Sequence, residues 1–134
     1  MNVVTVEEMR QLEQRAVDAG VPISELMERA GLAVAGAVRE ELGGAAGRRV
    51  VVLVGPGNNG GDGLITARHL ARWGAVVTAF VPVERREPDL PAVSARAFGC
   101  DVLGSNDVLL PETLDTTDLI IDALLGTGRG RAID

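Results

Sequence analysis

Two glycine-rich turns carry the residue types best suited to chemistry. The first, Val54-Gly55-Pro56-Gly57-Asn58-Asn59-Gly60-Gly61-Asp62-Gly63, sets two amides and a carboxylate among glycines, where an aliphatic run gives way to a helical one. Glycines at such a turn let backbone N–H groups approach a ligand and aim a helix N-terminus at it, which holds an anion without a basic side chain. Asn58, Asn59 and Asp62 add amide and carboxylate oxygens beside that cradle, as a cation or sugar hydroxyls would require. Each of the three alone is equally explained as a turn former or a helix cap. The second turn runs from Asp122 through Gly126-Thr127-Gly128-Arg129-Gly130-Arg131. It offers a strand-end carboxylate, backbone donors over Gly126 to Gly128, and guanidinium groups at Arg131 or Arg129 for charge-assisted contacts to phosphate. Arg129 by itself reads as a solvated side chain.

Gly55-x-Gly57-x-x-Gly60 also fits the dinucleotide fingerprint as a pattern, but the ribose-binding acid expected ~20 residues on is missing. The first acid beyond the following strand is Glu84, so a conventional nicotinamide-dependent oxidoreductase is disfavoured. All basic residues are arginine, which excludes a Schiff-base lysine and a Walker lysine, and with them pyridoxal chemistry and P-loop phosphoryl transfer. A net charge of −6 and an aromatic content of 2% argue against nucleic acid, which calls for positive grooves and stacking platforms. The longest apolar run, Val50 to Val54, is far short of the ~20 residues of a membrane span, and the N-terminus lacks the pattern of a secretory signal. One cysteine, Cys100, forms no internal disulfide, so a reducing cytoplasm is the expected compartment.

The elements that must position these turns follow from periodicity. Thr5 with Glu8 resembles a capping box opening a helix that ends at Gly20. A second helix starts at Pro22, carries Ile23, Leu26, Met27, Ala30, Val34 and Val38 on one side, and stops at Gly43-Gly44. Two helices thus precede any strand. Arg49 to Val54 reads as a strand buried on both faces. A helix over Gly61 to Trp73, a strand over Ala75 to Val81, an exposed polar connection over Pro82 to Pro91 and a short helix over Ala92 to Phe98 follow. Asp101 to Leu103 forms a brief strand, Pro111 to Leu114 a turn or short helical piece, and Asp118 to Leu124 a fourth strand. This alternation specifies a single α/β domain over 1–134, a Rossmann-like, open, mostly parallel sheet with helices on both faces. In the common 3-2-1-4 order the first and fourth strands are neighbours, and both glycine turns open on one crevice at the topological switch point. The chain stops ten residues after the fourth strand, which leaves that strand with an exposed side, as expected of a domain truncated at its C-terminus.

The first glycine turn followed by Ala67-Arg68-His69-Leu70 resembles the signature of the NAD(P)H-hydrate epimerase family, the YjeF N-terminal domain. Leu26-Met27-Glu28-Arg29-Ala30-Gly31 resembles that family's second-helix motif, and Asp122-Ala123-Leu124-Leu125-Gly126-Thr127-Gly128 with Arg131 its second glycine loop. Three motifs in order, spread over essentially the whole chain, are far more specific than one glycine pattern. The resemblance implies an isomerase of metabolite repair that interconverts the R and S epimers of hydrated NADH and NADPH. A partner dehydratase, fused or separate, then regenerates the usable cofactor. It implies nucleotide contacts by Asn58, Asn59, Gly60, Gly61 and Asp62, and by Gly126, Thr127, Gly128, Arg129, Gly130, Arg131 and Ala132. It also implies a potassium ion on Asn59 and Asp122. An amide and a carboxylate suit such a hard cation, and no His or Cys cluster competes for a softer one. The family's catalytic Asp belongs to an Asp-x-Pro-Ser-Gly loop expected beyond residue 134, so no catalytic residue is assigned within this chain. The alternative is a non-catalytic nucleotide-binding or scaffold module of the same fold. A homodimer is compatible with the resemblance. Four other features read as structural: His69 as a solvated helix-surface side chain, Cys100 as a buried or semi-buried thiol, Glu84-Arg85-Arg86-Glu87 as a solvated loop, and Trp73 as packing at a helix end against the sheet.

Overall fold

A computed structural model describes residues 2–5 and 20–124. Five parallel strands form one sheet in the order β1-β5-β2-β3-β4, where β1 is Asn2–Thr5, β2 Arg49–Val54, β3 Val76–Phe80, β4 Asp101–Leu103 and β5 Leu119–Ala123. The helices are α1 (Ile23–Leu42), α2 (Asn58–Arg72), α3 (Leu90–Ala97) and α4 (Pro111–Asp115).

The order of β2 to β5 is the one expected, and the sequence direction reverses between β2 and its neighbours β3 and β5. Val50, Val52 and Val54 of β2 join Val77 and Ala79 of β3, and Leu119, Ile121 and Ala123 of β5, in one aliphatic core. The opposite face of the sheet, by the alternation of strand side chains, carries Val51, Leu53, Thr78, Phe80, Ile120 and Asp122. Leu53 stands in register with Phe80 on one side and Asp122 on the other. Val51 is buried on this second face too, while Leu53 is only half-buried. Val51 and Thr78 share a cleft with Thr113 and Thr117 around α4, which lies on the connection that travels back across the sheet.

α2 is the centre of the helical layer, packed on β2, β3 and β5 and flanked by α1 and α3. Leu64, Ala67 and Leu70 are fully buried. α1 buries Leu26, Ala30, Gly31, Val34, Ala35 and Val38. It ends at Gly43 (φ 67°), whose left-handed backbone lets its own N–H and that of Gly44 bond the last carbonyls.

Two expectations at the N-terminus are corrected. A strand precedes the first described helix, and Thr5, expected to open a helix, closes β1 instead. β1 pairs in parallel with β5, from Asn2 opposite Leu119 to Thr5 opposite Asp122. The fourth expected strand is therefore not an open edge, because four residues from the far end of the chain supply its missing ladder. The remainder of the helix expected between Thr5 and Gly20 lies outside the described residues.

Candidate functional site

The site is built where β2 runs into α2. Gly55 donates its N–H to the Ala123 carbonyl at 2.9 Å, and a Cβ on Gly55 would overlap the Leu124 carbonyl oxygen. The ends of β2 and β5 are thus in direct contact. Gly57 caps α2 in extended backbone (φ −93°), and helix begins at Asn58, three residues before the expected start.

Several glycines of this turn answer to packing rather than to ligand access alone. A side chain on Gly60 would overlap the Gly55 carbonyl oxygen, one on Gly61 the Met27 methyl, and one on Gly63 would lie 2.6 Å from Ala123 Cβ. Gly57 differs, since a Cβ there meets nothing within 4 Å. It borders a cavity of about 730 Å³ whose lining includes Met27, Asn58, Ile65, Arg68, Arg85 and Ser94.

The expected binding residues divide accordingly. Asn58 is exposed at this cavity, whereas Asn59 and Asp62 are buried, at 3% and 0% exposure. Contacts from those two reach only a group or ion that lies below the surface. Asp122 sits on β5 beside Leu53 of β2, and its Oδ1 accepts the Leu124 N–H at 3.0 Å. The second glycine turn, Gly126 to Ala132 with Arg129 and Arg131, lies outside the described residues.

Two features escaped the sequence. Arg85, read as part of a solvated loop, folds its guanidinium back over the turn. Nη1 donates to the Gly55 carbonyl at 2.7 Å and to that of Gly57 at 2.9 Å, while Nε meets Asp89 Oδ2 at 2.7 Å. The rest of the expectation holds, as Glu84, Arg86 and Glu87 are exposed. His69, expected on the surface, is buried because α1 lies over this side of α2. Its Nε2 is 2.7 Å from Glu28 Oε2, and Arg68 Nη2 donates to the same carboxylate. The Arg68 hydrogen bond is the main influence holding the Glu28 carboxyl below its ordinary value; burial opposes it and the His69 hydrogen bond assists. The four-residue spacing of Arg85 and Asp89 was the one local signal, since the glycine carbonyls and Glu28 lie about 30 and 40 positions away in the chain.

The remaining structural assignments can be read directly. Cys100 is buried, its Sγ 3.4 Å from the Ala67 carbonyl, and desolvation raises its pKa to about 11. Trp73 packs at the end of α2, with the Arg39 guanidinium of α1 3.9 Å from the centroid of its ring.

Comparison with known proteins identifies the family. The family model described as YjeF-related protein N-terminus matches residues 23–134. The chain is 41% identical over 132 residues to the bifunctional NAD(P)H-hydrate repair enzyme Nnr of Thermanaerovibrio acidaminovorans, covering 95% of this chain and 25% of that protein. It is 41% identical over 115 residues to the NAD(P)H-hydrate epimerase of Yarrowia lipolytica, covering 85% of this chain and 46% of that one. The crystal structure of yeast ynu0 superposes with a TM-score of 0.77 at 30% identity, covering 100% of this chain and 60% of that chain. The chain therefore spans between about a quarter and a half of the length of these two curated relatives. With its parallel sheet, its strand-to-helix glycine turn and these matches, the chain belongs to the YjeF N-terminal domain family.

Proposed function

We propose that this chain binds hydrated NADH and NADPH at the glycine turn between β2 and α2, as the nucleotide-binding part of an epimerase that interconverts their R and S forms. The observation that carries this is the turn itself: the head of α2 and the open side of Gly57 border a cavity of about 730 Å³ at the switch point of the sheet. The relatives named NAD(P)H-hydrate epimerase support the choice of substrate.

In this reading the pyrophosphate meets the N-terminus of α2, whose first N–H groups have no carbonyl within the helix to accept them. Asn58 adds side-chain hydrogen bonds, with Gly60, Gly61 and Asp62 behind it. The family resemblance assigns further nucleotide contacts to Gly126, Thr127, Gly128, Arg129, Gly130, Arg131 and Ala132. Potassium would be held by Asn59 and Asp122. The donors fit it: both are hard oxygen ligands, Asn59 is buried where a largely dehydrated ion would sit, and Asp122 lies at the adjoining strand end. When bound, the ion supplies a fixed positive charge that offsets the charge of the nucleotide. The functional partner is a dehydratase acting on the epimerised product, a reading supported by the relatives named bifunctional repair enzymes. A homodimer and a reducing cytoplasm complete it.

The test is R/S exchange in purified hydrated NADPH, followed by NMR with and without potassium, on this chain and on Asp122→Ala. Nucleotide binding that potassium strengthens and the variant weakens is the expected outcome, and exchange above the spontaneous rate would show in addition that this chain carries the chemistry itself. Nucleotide binding without exchange would identify a binding module alone. Absence of both binding and exchange would remove the proposal.

A further inference from the structure

Among the described residues, Arg85 is the most heavily engaged cation at the carboxyl edge of the sheet. Guanidinium has five N–H donors in a rigid plane, and four of them meet acceptors here. Nε and Nη2 face the two oxygens of Asp89 at 2.7 and 3.3 Å, and Nη1 serves the Gly55 and Gly57 carbonyls. The Arg85 and Asp89 side chains are only 11% and 9% exposed.

A buried ion pair is a poor source of net stability, because desolvation offsets much of the attraction. What it supplies is direction. Arginine's fork holds a fixed geometry that a lysine ammonium, a mobile point charge, does not. Asp89 orients the fork, and the fork holds two carbonyls on either side of Pro56. One of them, Gly55 O, is the atom against which Gly60 packs too closely for any side chain, and Arg85 Nη1 would stand 2.6 Å from a Cβ at the same position. The other, Gly57 O, accepts the Gly61 N–H at 3.3 Å, an early hydrogen bond of α2. Arg85 therefore grips both the end of β2 and the head of α2. Of the two other arginines lining the cavity, Arg68 is engaged by Glu28 and Arg86 is exposed.

We infer that Arg85 is a positioning residue for nucleotide binding: by holding the Gly55 and Gly57 carbonyls, it keeps the N–H groups at the head of α2 turned toward the bound phosphate. This rests on the function proposed above. A turn fixed before binding loses less entropy when the ligand arrives, so the effect of Arg85 falls on affinity rather than on the sheet.

The experiment compares the full chain with Arg85→Ala, Arg85→Lys and Asp89→Asn. Two quantities are measured: amide hydrogen exchange at Gly61–Leu64 and at Val50–Val54, and the Kd for hydrated NADPH. Arg85→Ala is expected to accelerate exchange at Gly61–Leu64 at least tenfold, leave Val50–Val54 protected and weaken binding at least tenfold. Arg85→Lys should recover part of both effects, and Asp89→Asn should lose less than Arg85→Ala. Wild-type exchange and Kd in Arg85→Ala would overturn the inference. So would acceleration spread equally through β2, the mark of a purely structural residue. If Arg85→Ala does not fold, wild-type values in both Arg85→Lys and Asp89→Asn overturn it equally. If the unmodified chain does not bind hydrated NADPH, the proposed function fails, while the exchange comparison still decides whether Arg85 holds the turn.

Discussion

Glu28 receives two donors from a neighbouring helix, and this makes its charge part of how α1 is attached. Its carboxyl titrates below its ordinary value, chiefly because of Arg68, so the stabilisation it provides is present above the usual carboxylate range and is lost as the pH falls through the lowered value. Glu28→Gln should cost about 1 kcal/mol or less at neutral pH, since the carboxylate is 45% exposed and solvent screens it. In urea titrations the gap between wild type and variant should close on acidification; a gap unchanged from neutral to strongly acid pH contradicts the assignment. The glycines offer a sharper contrast. Gly60→Ala forces a methyl onto a carbonyl oxygen and should cost roughly 2–3 kcal/mol or prevent folding, whereas Gly57→Ala enters open space and should cost less than about 1 kcal/mol. Cys100, with its pKa raised to about 11, should resist alkylation at mildly alkaline pH in the native chain and react promptly once unfolded. At this scale the sequence exposed residue types but not partners. Cys100 could be read as buried because nothing nearby activates it. The burial of Arg85 and His69 could not be read, because the Gly55 and Gly57 carbonyls and the Glu28 carboxylate that receive them are delivered only by tertiary packing.

Where α1 crosses α2, the contact depends on a missing side chain. A Cβ on Gly31 would overlap Ile65 Cγ2, and Thr66 Oγ1 donates to the Gly31 carbonyl at 2.9 Å. Gly31→Ala gains about 1 kcal/mol of helix propensity but must displace a branched side chain, for roughly 1–3 kcal/mol. The net expected in chemical denaturation is a loss of up to about 2 kcal/mol, accompanied by a change in Trp73 fluorescence as α1 moves. Periodicity gave α1 within a residue at each end, and β2 and β4 with the bounds observed, because aliphatic runs and glycine stops are local signals. It missed the first three residues of α2, since Asn58, Asn59 and Gly60 have poor helix propensity. The helix forms there nonetheless because the glycines let it settle against Gly55 and Met27. β1 left no trace for a related reason: four residues without alternation become a strand only through the ladder offered by β5.

Across the whole molecule, the strand order was legible from the alternation of strands and helices together with the handedness of crossovers, and it places Asp122 beside the first glycine turn. No described helix is long and apolar enough to cross a membrane. β1 is the one strand whose position was not foreseen, and it shields the edge of β5. Removing residues 1–5 should expose that ladder, and sedimentation should then show concentration-dependent association into species larger than any the full chain forms. The pairing of Asn2 with Leu119 also sets an order of assembly. A polypeptide is made from its N-terminus at roughly 5–20 residues per second, so β1 is synthesised on the order of 6–20 seconds before the strand it pairs with. During translation β2, β3 and β4 can join as they emerge, while β1 waits for β5 to arrive. β5 is thus flanked by the oldest of the described strands, and a nascent chain stalled before Leu119 would present β2 as an unpaired edge to the chaperones around it.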